Sequence, residues 1–235
     1  MNRTIAMIVS CALTTLLAVL VQAQASYYVD NDGYIRNWLG LQAIALEANA
    51  GVHTEEAQKS YFEKEYFPRQ RVITPADGDK VTVDSKDLVW KVYQAEDPCW
   101  KFDSPVNNSL YFVVAYVIVD QDIPNVRLSI GSDDSSLWSL NYCEVLRIYA
   151  GRGVTKDTDK SLPLTLNKGV NILQAMVING NGEAGVSARF LDKNGDPVKD
   201  IKIDIRPPPP APAKTPAKAP PKEPVAAPAG TPAKQ

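Results

Sequence analysis

The chain has 235 residues, of which 45% are hydrophobic and 22% are charged, and its formal net charge is −2. This balance excludes the broad basic surface of a nucleic-acid-binding protein, and the hydrophobic content is enough for one well-buried domain. The single histidine, His53, excludes metal sites built from several histidines and argues against a Ser-His-Asp triad.

Residues 1–25 have the pattern of a secretory signal peptide. Arg3 provides a positive charge, residues 5–21 form an almost unbroken apolar stretch, and Ala23-Gln24-Ala25 is a small-residue cleavage site. Two alternatives remain open: an uncleaved membrane anchor, and a lipoprotein signal that ends at Cys11. The favoured interpretation predicts a secreted, periplasmic or cell-surface protein with no transmembrane segment after cleavage.

The folded body, which we expect to span residues 26–206, begins with irregular segments. Asp30-Asn31-Asp32-Gly33 predicts a tight turn between short extended pieces. Thr54 is a suitable N-cap for a helix from residue 55 to about residue 67, and Pro68 would end that helix.

From residue 81 to residue 205 the hydrophobic pattern alternates with a period of two, which is typical of strands. No helix of crossover length lies between these segments, so the pattern predicts an all-β fold, an antiparallel jelly-roll-like β-sandwich. The predicted strands cover residues 88–93, 110–119, 126–130, 137–140, 145–149, 162–166, 170–178 and 186–191. Turn-forming residues separate them at 122–125, 167–169, 179–182 and 192–195.

The last 29 residues, 207–235, consist almost wholly of Pro, Ala and Lys. Such a segment cannot build a core, so we expect a disordered, extended polyproline-type tail. With four Lys and one Glu the tail is basic. It would serve as a tether or spacer, or it would contact an anionic cell-wall polymer.

Two cysteines lie in the body, Cys99 and Cys143. In an oxidising, exported setting they would form a disulfide, and the alternative is two buried free thiols. The sequence leaves both possibilities open.

From Ser129 to Ile203 the chain resembles a recurring module of secreted bacterial proteins that is related to PA14 and galactose-binding-like β-sandwiches, a group that includes carbohydrate-binding modules. The resemblance depends on the order and spacing of several motifs rather than on any single one. The matching residues are Gly131-Ser132-Asp133-Asp134, Asn141, Glu144-Val145, Arg152-Gly153, Asp157, Asp159, residues 164–171 and residues 189–195. Weaker similarity extends upstream to residue 33.

The resemblance implies a ligand site. In the sugar-binding branch of PA14-like domains, two adjacent Asp residues and a nearby Asn hold Ca²⁺, which in turn holds vicinal hydroxyl groups. Asp133, Asp134 and Asn141 would be the Ca²⁺ ligands here, and Tyr142, which we expect to be exposed, would contact the ligand. The alternative is that one Asp caps the turn through backbone N–H groups while the other faces water.

Four tryptophans could either pack in the core or stack against sugar rings, and core packing is favoured for Trp38, Trp90, Trp100 and Trp138 because they lie at apolar strand positions. Neither a G-x-S-x-G element nor a phosphate-binding Gly loop occurs in the sequence. We therefore expect no catalytic residues and no enzyme activity.

These observations together predict an exported, non-catalytic module that recognises extracellular or cell-envelope carbohydrate, with Ca²⁺ as its candidate cofactor. The alternative is a structural or scaffolding protein of the cell envelope that binds a protein partner, with the tail as tether. In both cases the expected partner is a glycan or another envelope component, and not nucleic acid.

Overall fold

The computed structural model describes residues 26–47 and 54–208. The predicted signal peptide with Cys11, His53 and all of the tail after residue 208 lie outside these segments. The described chain contains fifteen strands, one α-helix and one 3₁₀ helix, Gln70–Val72. In the described segments no helix has both the length and the hydropathy of a membrane span.

The elements follow one another along the chain in a regular series. They are β1 (Tyr27–Tyr28), β2 (Asn37–Leu41), β3 (Ile44–Ala45), α1 (Glu55–Glu63), β4 (Lys80–Val83), β5 (Lys86–Gln94), β6 (Trp100–Lys101), β7 (Ser109–Val119), β8 (Ile123–Asp133), β9 (Ser135–Leu140), β10 (Cys143–Ile148), β11 (Asp159–Lys160), β12 (Leu164–Leu166), β13 (Gly169–Asn179), β14 (Gly185–Leu191) and β15 (Lys202–Asp204).

The strands form two sheets in which every pair is antiparallel. The wider sheet has the order β10-β9-β13-β7-β2-β5-β4, with β1, β3 and β15 attached beside it. The narrower sheet has the order β11-β8-β14-β6, with β12 paired to β8. The predicted all-β antiparallel sandwich is confirmed.

The strand β7 lies at the centre of the core because both of its faces are buried. Val113, Ala115 and Val117 point into the cluster between the two sheets, where they join Trp38 and Trp138. The intervening side chains point to the other face of the wider sheet, into a cluster that includes Phe62 of α1 and Trp90 of β5. The body therefore has three layers, and its apolar residues are buried on both sides of the wider sheet.

The four tryptophans confirm the core interpretation, since Trp38, Trp90, Trp100 and Trp138 are all buried. Trp38 lies within 6.4 Å of both Trp100 and Trp138, measured between ring centroids. Offset and edge-to-face ring pairs of this kind add to the stabilisation that burial provides.

The helix α1 begins as predicted, but it ends earlier. The Thr54 side chain accepts a hydrogen bond from the Ala57 backbone N–H, which is an N-cap. The predicted end near residue 67 is wrong because Gln70 binds the chain beyond the helix: its side chain accepts from the Tyr66 N–H at 2.7 Å and donates to the Lys64 carbonyl at 2.6 Å. Tyr66 and Phe67 then pack on Phe112 instead of continuing the helix.

The turns at Asp30-Gly33 and Asp192-Gly195 are confirmed, and each is closed by its first aspartate. The Asp30 carboxylate accepts from the N–H groups of Asp32 and Tyr34, and Asp192 binds the chain in the same way. The predicted turn at 122–125 is wrong, because β8 begins at Ile123 and pairs with β12 through an irregular register at Pro124.

The structure has both body cysteines as free thiols. Cys143 is exposed at the start of β10, at one edge of the wider sheet, whereas Cys99 lies beside β6 at the edge of the narrower sheet. A disulfide cannot form between residues at these separate edges without backbone movement. The alternative of two buried thiols is also incorrect, since neither residue is fully buried.

Gly131 of β8 provides a test of how closely the connection from β10 to β11 packs on the narrower sheet. A Cβ atom at this position would lie 1.8 Å from the Thr155 carbonyl oxygen, a backbone atom that cannot rotate away. We expect Gly131→Ala to lower the free energy of unfolding by about 3 kcal/mol in urea denaturation.

The matched control is Gly151→Ala, where an added Cβ atom meets nothing within 4 Å. That variant should stay within about 0.5 kcal/mol of the unchanged protein. Equal stability of the two variants would contradict the close contact at Gly131.

Candidate functional site

Three connections between the sheets meet at one end of the sandwich. The first is Asp134, which joins β8 of the narrower sheet to β9 of the wider one. The second, residues 180–184, returns from β13 to β14, and the third, residues 149–158, runs from β10 to β11. They meet because β14 pairs with β8 and β13 pairs with β9, so that Gly185 lies opposite Asp133 and Ile178 lies opposite Ser135.

Asp134 connects all three of these segments. Its backbone N–H donates to the Ile178 carbonyl at 3.0 Å. Its Oδ1 accepts from the Arg152 backbone N–H at 2.8 Å, and its Oδ2 accepts from the Gly180 N–H at 2.9 Å. Hydrogen bonds from backbone N–H groups to a carboxylate are strong, so this side chain has a structural role at the crossing.

Asp133 has a different environment, although it is the next residue and the peptide bond between the two is cis. Its side chain is buried, with only 6% of the residue exposed. Burial, and then the neighbouring Asp134 charge, raise the pKa of Asp133 to about 6. Asp133 forms no ion pair within the described segments, and a hydrogen bond from the Val154 backbone and the charge of Lys101 offset the cost of its own charge only in part.

Two cationic side chains nearby are already paired. The Arg152 guanidinium forms an ion pair with Asp159 and donates from Nε to the Ser132 carbonyl at 3.2 Å. Lys101 forms an ion pair with Glu183 at 2.7 Å. These pairs leave Asp133 facing a predominantly acidic opening.

That opening is a pocket of about 450 Å³, which we call the acidic pocket. It is lined by Asp133, Asp134, Arg152, Asn181, Glu183 and the glycines on either side of Arg152. Sequence reasoning did not identify Asn181 or Glu183 as site residues, because Asn179-Gly180-Asn181-Gly182 indicated only a turn. Repeated Asn-Gly pairs were the signal present, and only the strand pairing places that turn beside the two aspartates.

Asp133 and Asp134 therefore lie where the chain crosses from one sheet to the other. Asp134 accepts backbone N–H groups, as one of the two interpretations expected, but Asp133 is buried rather than facing water. Ser135, the next residue, exchanges hydrogen bonds of 2.9 Å with the backbone of Ala150, which fixes the start of the third connection.

Asn141 and Tyr142, the other two predicted site residues, lie at the opposite end of the sandwich. β9 runs from Ser135, opposite Ile178, to Leu140, opposite Leu173, which is about 20 Å of strand. The Asn141 side chain binds Asn171 and the Ile172 N–H, and it closes the β9–β10 turn. Tyr142 is exposed, as predicted, but it does not approach Asp133.

The structure thus corrects the predicted Ca²⁺ ligand set of Asp133, Asp134 and Asn141. The residues that share the acidic pocket are Asp133, Asp134 and Asn181. No group of three or more His, Cys, Asp or Glu side chains that could hold a metal ion occurs within residues 26–47 and 54–208. A cation here would have two carboxylates at most, and its other ligands would be neutral oxygens, which Ca²⁺ accepts.

Asp157 holds the third connection in place from behind the pocket. Its carboxylate accepts from the hydroxyls of Ser129 and Tyr34, both at 2.7 Å, and from the guanidinium of Arg189. Burial alone would raise the pKa of Asp157, but these hydrogen bonds outweigh it and lower the pKa. Ser129, Asp157 and Arg189 belong to the segment of sequence resemblance, and their contacts explain how the loop that contains Arg152 is positioned.

No family model matches the sequence, and no curated protein matches it. Solved structures do show similarity of fold. A PA14 sugar-binding domain from an RTX adhesin is 14% identical over 71% of this chain and 96% of that domain, with a TM-score of 0.40. The Epithelial Adhesin 9 A domain from Candida glabrata, in complex with Galβ1-4GlcNAc, is 9% identical over 77% of this chain and 94% of that one, with a TM-score of 0.45.

A β-glucosidase from Kluyveromyces marxianus also matches, at 19% identity and a TM-score of 0.33. The match covers 50% of this chain but only 17% of that enzyme. A PA14 domain is thus among the solved structures to which this chain is similar. TM-scores below 0.5 establish no residue-by-residue correspondence, so site roles depend on the geometry of this chain.

The environments of Asp133 and Asp134 predict opposite changes in the free energy of unfolding when each aspartate is replaced by asparagine. The folded protein holds the Asp133 proton up to about pH 6, whereas the ordinary pKa is 3.8, so the carboxylate destabilises the fold increasingly as the pH rises between these values. We expect Asp133→Asn to equal the unchanged protein in unfolding free energy near pH 4 and to exceed it by about 1 to 2 kcal/mol at pH 7, because solvent in the open pocket screens part of the charge.

The comparison variant is Asp134→Asn. Its amide NH₂ group would replace one carboxylate oxygen and face a backbone N–H group, so two donors would meet and one hydrogen bond would be lost. The variant should lower the unfolding free energy at pH 7 by about 1.5 to 3 kcal/mol. Urea titrations of both variants at the two pH values measure the effect. A lower stability of Asp133→Asn at pH 7 would show that its charge is compensated in the folded protein.

Proposed function

We propose that the chain is an exported, non-catalytic module whose acidic pocket binds carbohydrate with the help of a bound Ca²⁺ ion. The observation that supports this most directly is the buried Asp133 carboxylate, which lines an open pocket beside Asp134 and Asn181 without an ion-pair partner in the described segments. Export is supported by the signal-like pattern of residues 1–25.

The donor set suits a hard cation. Asp133 and Asp134 would supply carboxylate oxygens, Asn181 would supply its amide oxygen, and backbone carbonyls and water would complete the six to eight oxygen ligands typical of Ca²⁺. The hydrogen bonds that Asp134 accepts do not prevent this, since each carboxylate oxygen has more than one lone pair. A bound ion would supply further countercharge for Asp133 and coordination positions for the hydroxyl groups of a sugar.

The rest of the pocket favours a neutral polyhydroxyl ligand. Arg152 offers N–H donors at the wall and Glu183 offers acceptors, and both already take part in ion pairs that hold their side chains. A pocket of about 450 Å³ is large enough for one or two sugar rings. Specificity would then come from the loops that carry Arg152 and Asn181, because loops on a rigid sheet framework vary most easily.

The arrangement does not support glycoside hydrolysis, even though the acidic pocket contains two aspartates. A glycosidase places its two carboxyl groups on either side of the bond that it cleaves. Asp133 and Asp134 are joined by one peptide bond, and Asp134 is committed to backbone N–H groups on both of its oxygens. We therefore assign binding and not catalysis.

Calcium and glycan binding can be measured on the full chain. We expect CaCl₂ to raise the melting temperature, and we expect a glycan array to show binding that EDTA abolishes. Asp133→Asn should lose the calcium effect and weaken glycan binding at least about tenfold, since it removes the charge without changing the side-chain shape.

The control is Asp200→Asn, which removes an exposed carboxylate elsewhere and should change neither signal. Calcium stabilisation that persists in Asp133→Asn would place the cation elsewhere. An array without any bound glycan, in calcium, would refute the proposed function.

A further inference from the structure

The narrower sheet does not cover the whole inner face of the wider one. Its edge strand β6 is only two residues long, and beyond it the inner face of β2 and β5 is open. A second pocket of about 390 Å³ occupies this opening, and we call it the aromatic pocket. Trp100 of β6 faces this pocket, while its neighbour Lys101 pairs with Glu183 of the acidic pocket.

Four aromatic rings line one side of the aromatic pocket in a continuous series. The ring centroids lie 5.0 Å apart for Tyr93 and Trp100, 4.7 Å for Trp100 and Phe102, and 4.6 Å for Phe102 and Tyr111. Gly40 forms part of the floor, where a Cβ atom would come within 3.0 Å of the Tyr93 ring and 3.2 Å of Trp100. Because Gly40 has no side chain, both rings can pack directly against the backbone of β2.

The rim of the aromatic pocket is polar and carries both signs of charge. Lys91 and Asp103 are exposed, and neither forms an ion pair within the described segments. Ser104 adds a hydroxyl group next to Asp103. Burial and the charge of Asp103 both raise the pKa of Tyr93, which is consistent with the carboxylate lying near the phenol group.

We infer that the aromatic pocket binds one ring of a neutral sugar and is a second carbohydrate site, separated from the acidic pocket by β6. Only the ligand class draws on the proposed function. The pocket itself combines aromatic walls with a few convergent polar groups, which is the usual composition of a small-molecule site.

The chemistry of the walls and rim selects this ligand over others. A sugar ring has C–H faces that can lie on aromatic rings and hydroxyl edges that can bind both an ammonium group and a carboxylate. A purely apolar ligand would remove Lys91 and Asp103 from water without hydrogen bonds. One charge of each sign gives the rim no net preference for an anion or a cation, whereas the hydroxyl groups of a neutral sugar can bind both Lys91 and Asp103.

The test uses the isotopically labelled full chain in EDTA, so that no calcium-dependent binding contributes. Methyl glycosides of glucose, galactose and mannose are titrated separately and followed through backbone amide NMR signals. At least one of them should shift the signals of Gly40, Lys91 and Asp103 and leave those of Gly151 and Gly153 unchanged. The double variant Lys91→Ala/Asp103→Ala should weaken this binding at least about tenfold, because it removes both charged partners.

The matched control is Lys199→Ala/Asp200→Ala, which removes an exposed pair of the same composition and should bind as the unchanged protein does. Absence of shifts with all three glycosides, or equal binding by both double variants, would overturn the inference. Free phenylalanine is titrated in parallel. Signal shifts with phenylalanine and none with the glycosides would assign the pocket to a zwitterionic ligand instead. Glycan-induced shifts that appear only with calcium, and only in the signals of Gly151 and Gly153, would uphold the proposed function and reject the second carbohydrate site.

Discussion

The geometry of this end of the molecule depends on the hydrogen bonds of Asp134. Its backbone N–H binds the end of β13 at Ile178, and its two carboxylate oxygens bind the other two connections between the sheets, at Arg152 and Gly180. Each of these partners is a main-chain group, so the connection depends little on the neighbouring side chains. Ser135 and Asp157 also hold the third connection, but Asp134 joins the second and third connections at the acidic pocket.

The same crossing determines the electrostatics of Asp133. Because β8 pairs with β14 up to Asp133 itself, this side chain is enclosed where the layers meet and loses most of its hydration. Arg152 and Lys101 approach the pocket, but each is paired with another carboxylate. Two neighbouring residues of the same type thus have separate roles: Asp134 is stabilised by backbone donors, and Asp133 holds a charge that an added cation would stabilise.

The unequal width of the two sheets explains the second opening. β7 is buried on both faces and anchors the wider sheet, whose outer face is covered by α1. The narrower sheet ends at β6, so aromatic side chains that belong to the core between the sheets continue past the covered region. Trp100 and Lys101 are consecutive residues of one short strand, and strand alternation directs them toward different pockets.

Most of the local structure could be predicted from neighbouring residues. Alternating apolar residues predicted most strands to within a few positions, Thr54 predicted the helix start, and Asp30 and Asp192 predicted their turns, because each depends on neighbouring residues. The adjacent aspartates and the resemblance in residues 129–203 indicated the fold and one half of the site. Which side chains meet depends on how strands that are far apart in the sequence pair with one another. Strand pairing placed Asn181 beside Asp133 and moved Asn141 and Tyr142 to the far end, it separated Cys99 from Cys143, and Gln70 ended the helix early. These outcomes depend on contacts between residues distant in the sequence, which no local pattern records.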